Sequence, residues 1–151
     1  MQLDQLDDLY RQAILDHYHT PRNPQQVAEA QIQAEGNNPF CGDAVALQVK
    51  LSNIGTIQEI GSQAQGCAIC QASASMLTEA LKGKTLEEAQ TVNRTLRRLT
   101  QGKELSGAEL KALGDLEALQ GVRKSPVRIK CVLLAWSILE EGIEEYQSKR
   151  H

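Results

Sequence analysis

Four cysteines are the residues of this chain best suited to chemistry. They occur in the spacing Cys41-x25-Cys67-x2-Cys70-x60-Cys131. Zinc fingers and zinc ribbons fold around an ion with two closely spaced pairs of ligands, and this spacing contains only one CxxC pair. The pattern therefore argues against a finger or a ribbon, and it leaves two kinds of chemistry, metal binding and thiol-based transfer.

Three of the cysteines are predicted to lie near the ends of secondary-structure elements. Cys41 falls in a glycine-flanked loop, Cys67 at a strand-to-helix junction and Cys131 in the first two turns of a helix. The positive end of a helix favours the thiolate, which both metal binding and sulfur transfer require, and Cys67 fits that position best. The alternative is that these are small buried hydrophobic residues, which applies most to Cys131.

A carboxylate follows the first cysteine at a distance of two residues. The composition of residues 37–43 predicts a loop, in which Gly42 would let the backbone bend so that Cys41 and Asp43 reach one ion. Three thiolates and one carboxylate would make a tetrahedral centre suited to Zn²⁺ or iron, with the carboxylate as the most exchangeable ligand. Alternatively, Asp43 serves only as a turn or cap residue.

The remaining candidates are Cys70 and two histidines. Cys67 and Cys70 form a CxxC, which in isolation indicates a redox pair, but thioredoxin-like motifs belong to a βαβ unit that this sequence does not predict. Cys70 is therefore expected to be a bystander, either a spare sulfur near the site or a buried helix residue. His17 and His19 are expected to be surface or partly packed residues and not ligands.

The elements that must position these residues can be predicted from apolar periodicity. Residues at three- and four-residue intervals predict a first helix that ends before Pro21; they are Leu3, Leu6, Tyr10, Ala13, Ile14 and Tyr18. Alternation predicts strands over 28–34 and 45–51, followed by a return strand over about 56–65 with an irregularity at Gly61.

Four further helices are predicted by their start and stop signals. The second covers 68–82, before a glycine. The third and fourth start at capping boxes, at Thr85 and Ser106. A last helix begins at Ser125-Pro126 and reaches about Gln147. Early strands followed by consecutive helices predict an α+β fold, an antiparallel sheet of about three strands covered by helices.

Composition limits the classes of partner and compartment. The length predicts one domain over residues 1–151, and a net charge of −3 argues against nucleic acid. No apolar stretch approaches the ~20 residues needed to cross a membrane, and no signal or transit peptide is visible. We therefore expect a cytoplasmic protein, whose thiols stay reduced and favour metal binding over disulfides.

Five ordered motifs together resemble the U-type iron–sulfur assembly proteins, the family of IscU and of the N-terminal domain of NifU. They are Leu9–Tyr18, Pro21–Pro24, Asn38–Asp43, Gly66-Cys67 with Gln71–Met76, and Arg128–Cys131. IscU-type members usually carry a histidine immediately before the last cysteine, where this chain has Lys130. Together with a longer segment between the second and last cysteines, this residue resembles the SufU branch.

The resemblance implies a fold, a set of ligands and a set of partners. The fold would be of the SufE/NifU-like type, and Cys41, Asp43, Cys67 and Cys131 would bind a metal, commonly zinc in this branch. Cys70 matches no general ligand of the family. A cysteine desulfurase of the SufS-like type would be the main partner, followed by downstream cluster-assembly or recipient proteins.

Two mechanisms remain open for this site. In the first, the protein is a zinc-dependent acceptor of persulfide sulfur from the desulfurase, and the resemblance points to Cys41 as the acceptor. In the second, the protein is a scaffold that assembles a [2Fe-2S] cluster on the same ligands and transfers it. A structural zinc adaptor, which would need the metal for folding, is least expected because the predicted core is large.

Overall fold

A three-stranded antiparallel sheet lies beneath the helices in the computed structural model, which describes residues 8–38 and 42–150. The strands are β1 (Ile32–Asn38), β2 (Asp43–Leu51) and β3 (Ile57–Gln65), and β2 pairs with both neighbours. The predicted α+β class is therefore confirmed. No helix in the described part of the chain is both long and apolar enough to span a membrane.

The helices follow the local start signals of the sequence. Thr85 and Ser106 each close a capping box, as predicted, and the hydroxyl of Ser125 accepts the backbone N–H of Arg128. The helices are α1 (Asp8–His19), α2 (Ala68–Leu81), α3 (Leu86–Thr100), α4 (Gly107–Leu113) and α5 (Pro126–Ser148), with a 3₁₀ helix, Gly114–Val122, before α5. That 3₁₀ helix is absent from the prediction.

Strand β2 buries one face against the helices. Its residues alternate between buried and half-buried, so that Val45, Leu47, Val49 and Leu51 point to the same side. Helix α5 packs against β1 and β2, and α2 packs against β3 and α5. Because Gln65 at the end of β3 is opposite Ala44, and α2 begins three residues later, the first turn of α2 lies near the start of β2.

A buried hydrogen-bond chain joins the two central helices. The Ser73 hydroxyl donates to the carbonyl oxygen of Val132 at 2.7 Å, and the indole N–H of Trp136 donates to the Ser73 Oγ at 3.2 Å. The amide of Asn93 donates to the Trp136 carbonyl oxygen at 2.9 Å, which adds α3 to the chain. Trp136 is fully buried, so these bonds satisfy polar groups that water cannot reach.

The first strand differs from its prediction. It was expected over 28–34 and is observed at Ile32–Asn38, because residues 28 and 29 form a turn in which Glu29 has a φ of 57°. Pairing with β2 extends the strand at its other end, where Asn38 is opposite Asp43. Ladder hydrogen bonds thus override the weak strand preference of asparagine. Leu3 and Leu6 of the predicted first helix lie outside the described residues.

The predicted irregularity at Gly61 is also wrong. Gly61 pairs in regular register with Gln48, and the shift in register occurs between Lys50 and Leu51. The requirement for glycine at position 61 has a different reason. A Cβ at this position would collide with the carbonyl oxygen of Gln25. The connector after α1 therefore passes directly over β3 at this residue.

Replacing Gly61 should destabilise the fold. Gly61→Ala forces Gln25 or the strand to move, and we expect a loss of about 1–3 kcal/mol in the free energy of unfolding. Urea unfolding followed by circular dichroism measures it. Gly107→Ala is the matched control, because a Cβ there meets nothing within 4 Å. Equal stability of the two variants would contradict the proposed close approach.

Candidate metal centre

The sheet places the candidate carboxylate on its buried face. Asp43 was predicted in a loop, but it is the first residue of β2 and it is 0% exposed. Because side chains alternate along a strand, Asp43 points to the same side as Val45 and Leu47, toward the helices. A buried carboxylate is costly unless hydrogen bonds or a cation compensate its charge.

Helix α2 places the first described cysteine beside that carboxylate. Cys67 is the N-cap of α2, with extended backbone angles, and its Sγ accepts a hydrogen bond from the Cys70 N–H at 3.4 Å. The Cys67 N–H donates to Oδ1 of Asp43 at 3.0 Å, and the thiol contacts Oδ2 at 3.9 Å. The predicted position at a strand-to-helix junction is confirmed.

Helix α5 supplies the second described cysteine from the other side. Cys131 lies in the second turn of α5 and is 1% exposed. Burial raises the pKa of the Cys131 thiol well above its usual range, and the neighbouring Asp43 and Cys67 side chains raise it further. The thiol therefore keeps its proton at neutral pH, and a metal ion binding there would have to displace that proton.

The three side chains converge although they come from three elements. One ligand atom from each of Asp43, Cys67 and Cys131 lies within 4.8 Å of the other two. Two sulfurs and a carboxylate oxygen form a donor set that suits Zn²⁺ or iron. Cys70 does not belong to this group, and Cys41 lies outside the described residues, so its place as a ligand stays a prediction.

A glycine makes the contact between carboxylate and helix possible. Gly66 has a φ of 121°, and a Cβ there would collide with Oδ1 of Asp43 and lie 2.8 Å from its Cα. Only glycine fits both this backbone angle and the close approach of Asp43. The absence of a side chain at Gly66 therefore lets the N–H of Cys67 reach the carboxylate. Gly66 is therefore a supporting residue of the site, a role that its place in the Gly66-Cys67 motif did not indicate.

The prediction for His17 is wrong in one respect. His17 is fully buried, and its Nδ1 and Nε2 lie 2.8 Å from the Ser75 Oγ and 3.0 Å from Oδ2 of Asp115. The sequence signal for this burial was the position of His17 three residues after Ile14, which places both on the buried face of α1. His17, Asp115 and Glu79 form a second group of possible metal ligands. His19 is exposed, as expected.

Comparison with known proteins identifies the family. The family model of NifU-like N-terminal domains matches residues 9–151. The zinc-dependent sulfurtransferase SufU of Bacillus subtilis is 46% identical over 138 residues, which cover 91% of this chain and 91% of that protein. The iron–sulfur cluster assembly scaffold protein IscU of Streptococcus pyogenes is 38% identical over 151 residues, covering 100% of this chain and 92% of the relative.

A solved structure shows the same fold. The crystal structure of a candidate iron–sulfur cluster assembly scaffold protein for the SUF system, from Fervidobacterium islandicum, superposes with a TM-score of 0.80. It is 27% identical and covers 95% of this chain and 99% of its own. The chain therefore belongs to the family of NifU-like N-terminal domains, the U-type iron–sulfur assembly proteins. Within that family it lies in the SufU-like branch, as the sequence motifs predicted.

Adding a side chain at Gly66 should weaken metal binding. Gly66→Ala displaces Asp43, and we expect the zinc affinity to fall about 10–100-fold, the usual effect of losing support around a ligand. Competition with a chromophoric chelator measures the affinity. Gly83→Ala is the matched control, because Gly83 also has a positive φ, 87°, but its Cβ would meet nothing within 4 Å. An equal loss in both variants would contradict the role of Gly66.

Removing the charge of Asp43 should affect the metal more than the fold. Asp43→Asn keeps an acceptor for the Cys67 N–H, but it lowers zinc affinity by at least about tenfold because the anionic ligand is lost. The metal-free variant should unfold at the same or a higher urea concentration, since a buried charge is gone. Glu59→Gln, an exposed carboxylate on β3, is the control. A clear loss of metal-free stability in Asp43→Asn would count against a metal role.

Proposed function

We propose that this chain accepts persulfide sulfur from a cysteine desulfurase, in a zinc-dependent reaction of iron–sulfur cluster assembly. The observation that carries the proposal is the convergence of Asp43, Cys67 and Cys131 from three elements within 4.8 Å. The 46% identity to a protein named as a zinc-dependent sulfurtransferase favours the same chemistry here. The coarser assignment, a role in iron–sulfur cluster assembly, rests on membership of the family.

Four residues would hold the zinc ion. Asp43, Cys67 and Cys131 supply a carboxylate and two thiols, and Cys41 completes the set through the family resemblance. Bound zinc would keep the thiols as thiolates near neutral pH, where at least the buried Cys131 is otherwise protonated. The donor types and their convergence fit a tetrahedral ion.

Cys41 is the proposed acceptor. Its thiolate attacks the outer sulfur of the desulfurase persulfide, a new S–S bond forms on Cys41, and the desulfurase cysteine leaves as a thiolate. The two other cysteines of the proposed ligand set are less suited to this attack: Cys131 is buried, and Cys67 is held at a helix start by the Cys70 N–H. The partner would be a SufS-like enzyme, with cluster-assembly or recipient proteins downstream.

The second candidate is a scaffold that builds a [2Fe-2S] cluster on the same ligands. The 38% identity to a protein named as an IscU scaffold favours it, and thiolate ligation suits a cluster as well as zinc. A structural zinc adaptor has less support. The described residues already bury a large apolar core, including Leu47, Leu77 and Trp136, so that folding has little need of a metal.

Desulfurase turnover distinguishes acceptor from scaffold. Adding the protein to a SufS-like desulfurase with cysteine should raise alanine release to a saturating level, because the acceptor removes the persulfide that blocks the enzyme. Cys41→Ser should abolish this activation, since a serine alkoxide is scarcely populated near neutral pH. The Cys41→Ser variant should still bind the desulfurase, which a separate binding measurement checks. Mass spectrometry should find the added sulfur on Cys41.

The opposite result would support the scaffold. It would consist of unchanged alanine release, no modified cysteine, and a stable cluster that can be transferred after ferrous iron and sulfide are supplied without oxygen. Activation by Cys41→Ser equal to that of the unchanged protein would instead overturn the choice of Cys41 while leaving sulfur transfer intact.

A further inference from the structure

The CxxC segment at the start of α2 contains a second thiol, Cys70, that does not belong to the group of converging ligands. Cys67 is the N-cap and Cys70 the third residue of the helix, and the Cys70 N–H donates to the Cys67 Sγ. The Cys70 sulfur lies 4.0 Å from the carbonyl oxygen of Gln65, so it points toward the N-terminal side of the helix, where Cys67 lies. The two thiols therefore share one helix end.

A disulfide between Cys67 and Cys70 requires only a local change of the backbone. Side chains three residues apart on a helix lie about 5–6 Å apart at Cβ, and a disulfide needs ~3.5–4.5 Å. Because Cys67 is the N-cap and has extended backbone angles, its φ and ψ can change to bring the two Cβ atoms closer without breaking the helix. None of the three described cysteines forms a disulfide in this structure. The absence of a βαβ unit, which argued against a redox pair at the level of the sequence, does not affect this local geometry.

The two thiols differ in access. Cys67 is partly exposed, whereas Cys70 is 0% exposed. A small oxidant from solvent would therefore meet Cys67 first, and Cys70 would react from inside. Because Cys70 does not belong to the group of converging ligand atoms, its thiol would remain free of metal when the proposed site is occupied.

We propose that Cys67 and Cys70 form a dithiol that closes to an intramolecular disulfide, and that this closure removes Cys67 from the metal site. The oxidant is a low-molecular-weight disulfide. The Cys67 sulfur attacks it, forms a mixed disulfide and releases one small thiol. Cys70 then attacks the Cys67 sulfur and releases the second thiol. The protein dithiol is oxidised by two electrons and the small disulfide is reduced by the same two. The two protons of the protein thiols end on the released small thiols.

This chemistry makes metal binding and oxidation mutually exclusive. A sulfur engaged in a disulfide is no longer a thiolate ligand, so an oxidised chain retains only Asp43 and Cys131 of the three converging groups. A reductant that reopens the disulfide restores the ligand. The inference concerns Cys67 and Cys70 alone, and the disulfide itself can be detected without any desulfurase.

Among the described residues, Cys131 is the competing partner for Cys67, because the sulfurs of these two residues lie within 4.8 Å of each other. It belongs to α5, however, which is fixed against α2 by the Ser73 and Trp136 hydrogen bonds, so closing that pair would require two packed helices to adjust. Cys70 shares the first turn of α2 with Cys67, and a disulfide there needs only side-chain rotation and a small change at the cap.

The experiment uses the full chain, reduced and freed of metal, equilibrated in mixtures of reduced and oxidised glutathione. Free thiols are then alkylated and peptides are mapped without reduction. We expect the peptide with Cys67 and Cys70 to lose two hydrogens while Cys131 is still alkylated after unfolding. A Cys67–Cys131 link, or glutathione remaining on Cys67 with Cys70 free, would overturn the proposal.

A variant and a metal readout complete the test. Cys70→Ser should keep the zinc content of the unchanged protein, lose the intramolecular disulfide and retain glutathione on Cys67 instead. In the unchanged, zinc-loaded protein, oxidised glutathione should release zinc to a chromophoric chelator, and a dithiol reductant should restore rebinding. Zinc release without formation of a disulfide at Cys70 would contradict the proposal. Peptide mapping of the unchanged protein stays decisive even if the variant folds poorly.

Discussion

A buried carboxylate beside a helix start is the constraint on which the rest of the structure depends. Asp43 lies fully buried on the inner face of the sheet, and the Cys67 N–H reaches it only because Gly66 has no side chain. An anion in such a place needs hydrogen bonds or a cation. The end of β3, the start of α2 and the first residue of β2 are therefore fixed together by one contact, and Cys131 is brought to it by the packing of α5.

Local sequence signals predicted most of the elements, and long-range packing determined the rest. The capping boxes at Thr85 and Ser106 depend only on neighbouring residues and were found where expected. The extension of β1 to Asn38 and the full burial of His17 depend on partners elsewhere in the chain, β2 in the first case and Ser75 and Asp115 in the second. Periodicity shows which face is apolar, but not which distant polar group will satisfy a buried nitrogen.

The candidate site shows the same division. Residue types and the family resemblance predicted four candidate ligands, and the structure brings together the side chains of the three that it describes. The strand position of Asp43 could have been predicted by extending the alternation of Val45 and Leu47 by one step, whereas composition indicated a loop. The role of Gly66 could not, because it follows from a close approach between two separate strands and a helix.

The hydrogen-bond chain through Ser73 and Trp136 separates the frame of the site from its chemistry. It joins Ser73, six residues after Cys67 on α2, to Val132 and Trp136, one and five residues after Cys131 on α5. These core hydrogen bonds thus hold the two cysteine positions near each other. A substitution of Cys67 or Cys131 would therefore change the donors offered to a metal, and with them its choice and lability, while the bonds that hold α2 against α5 remain.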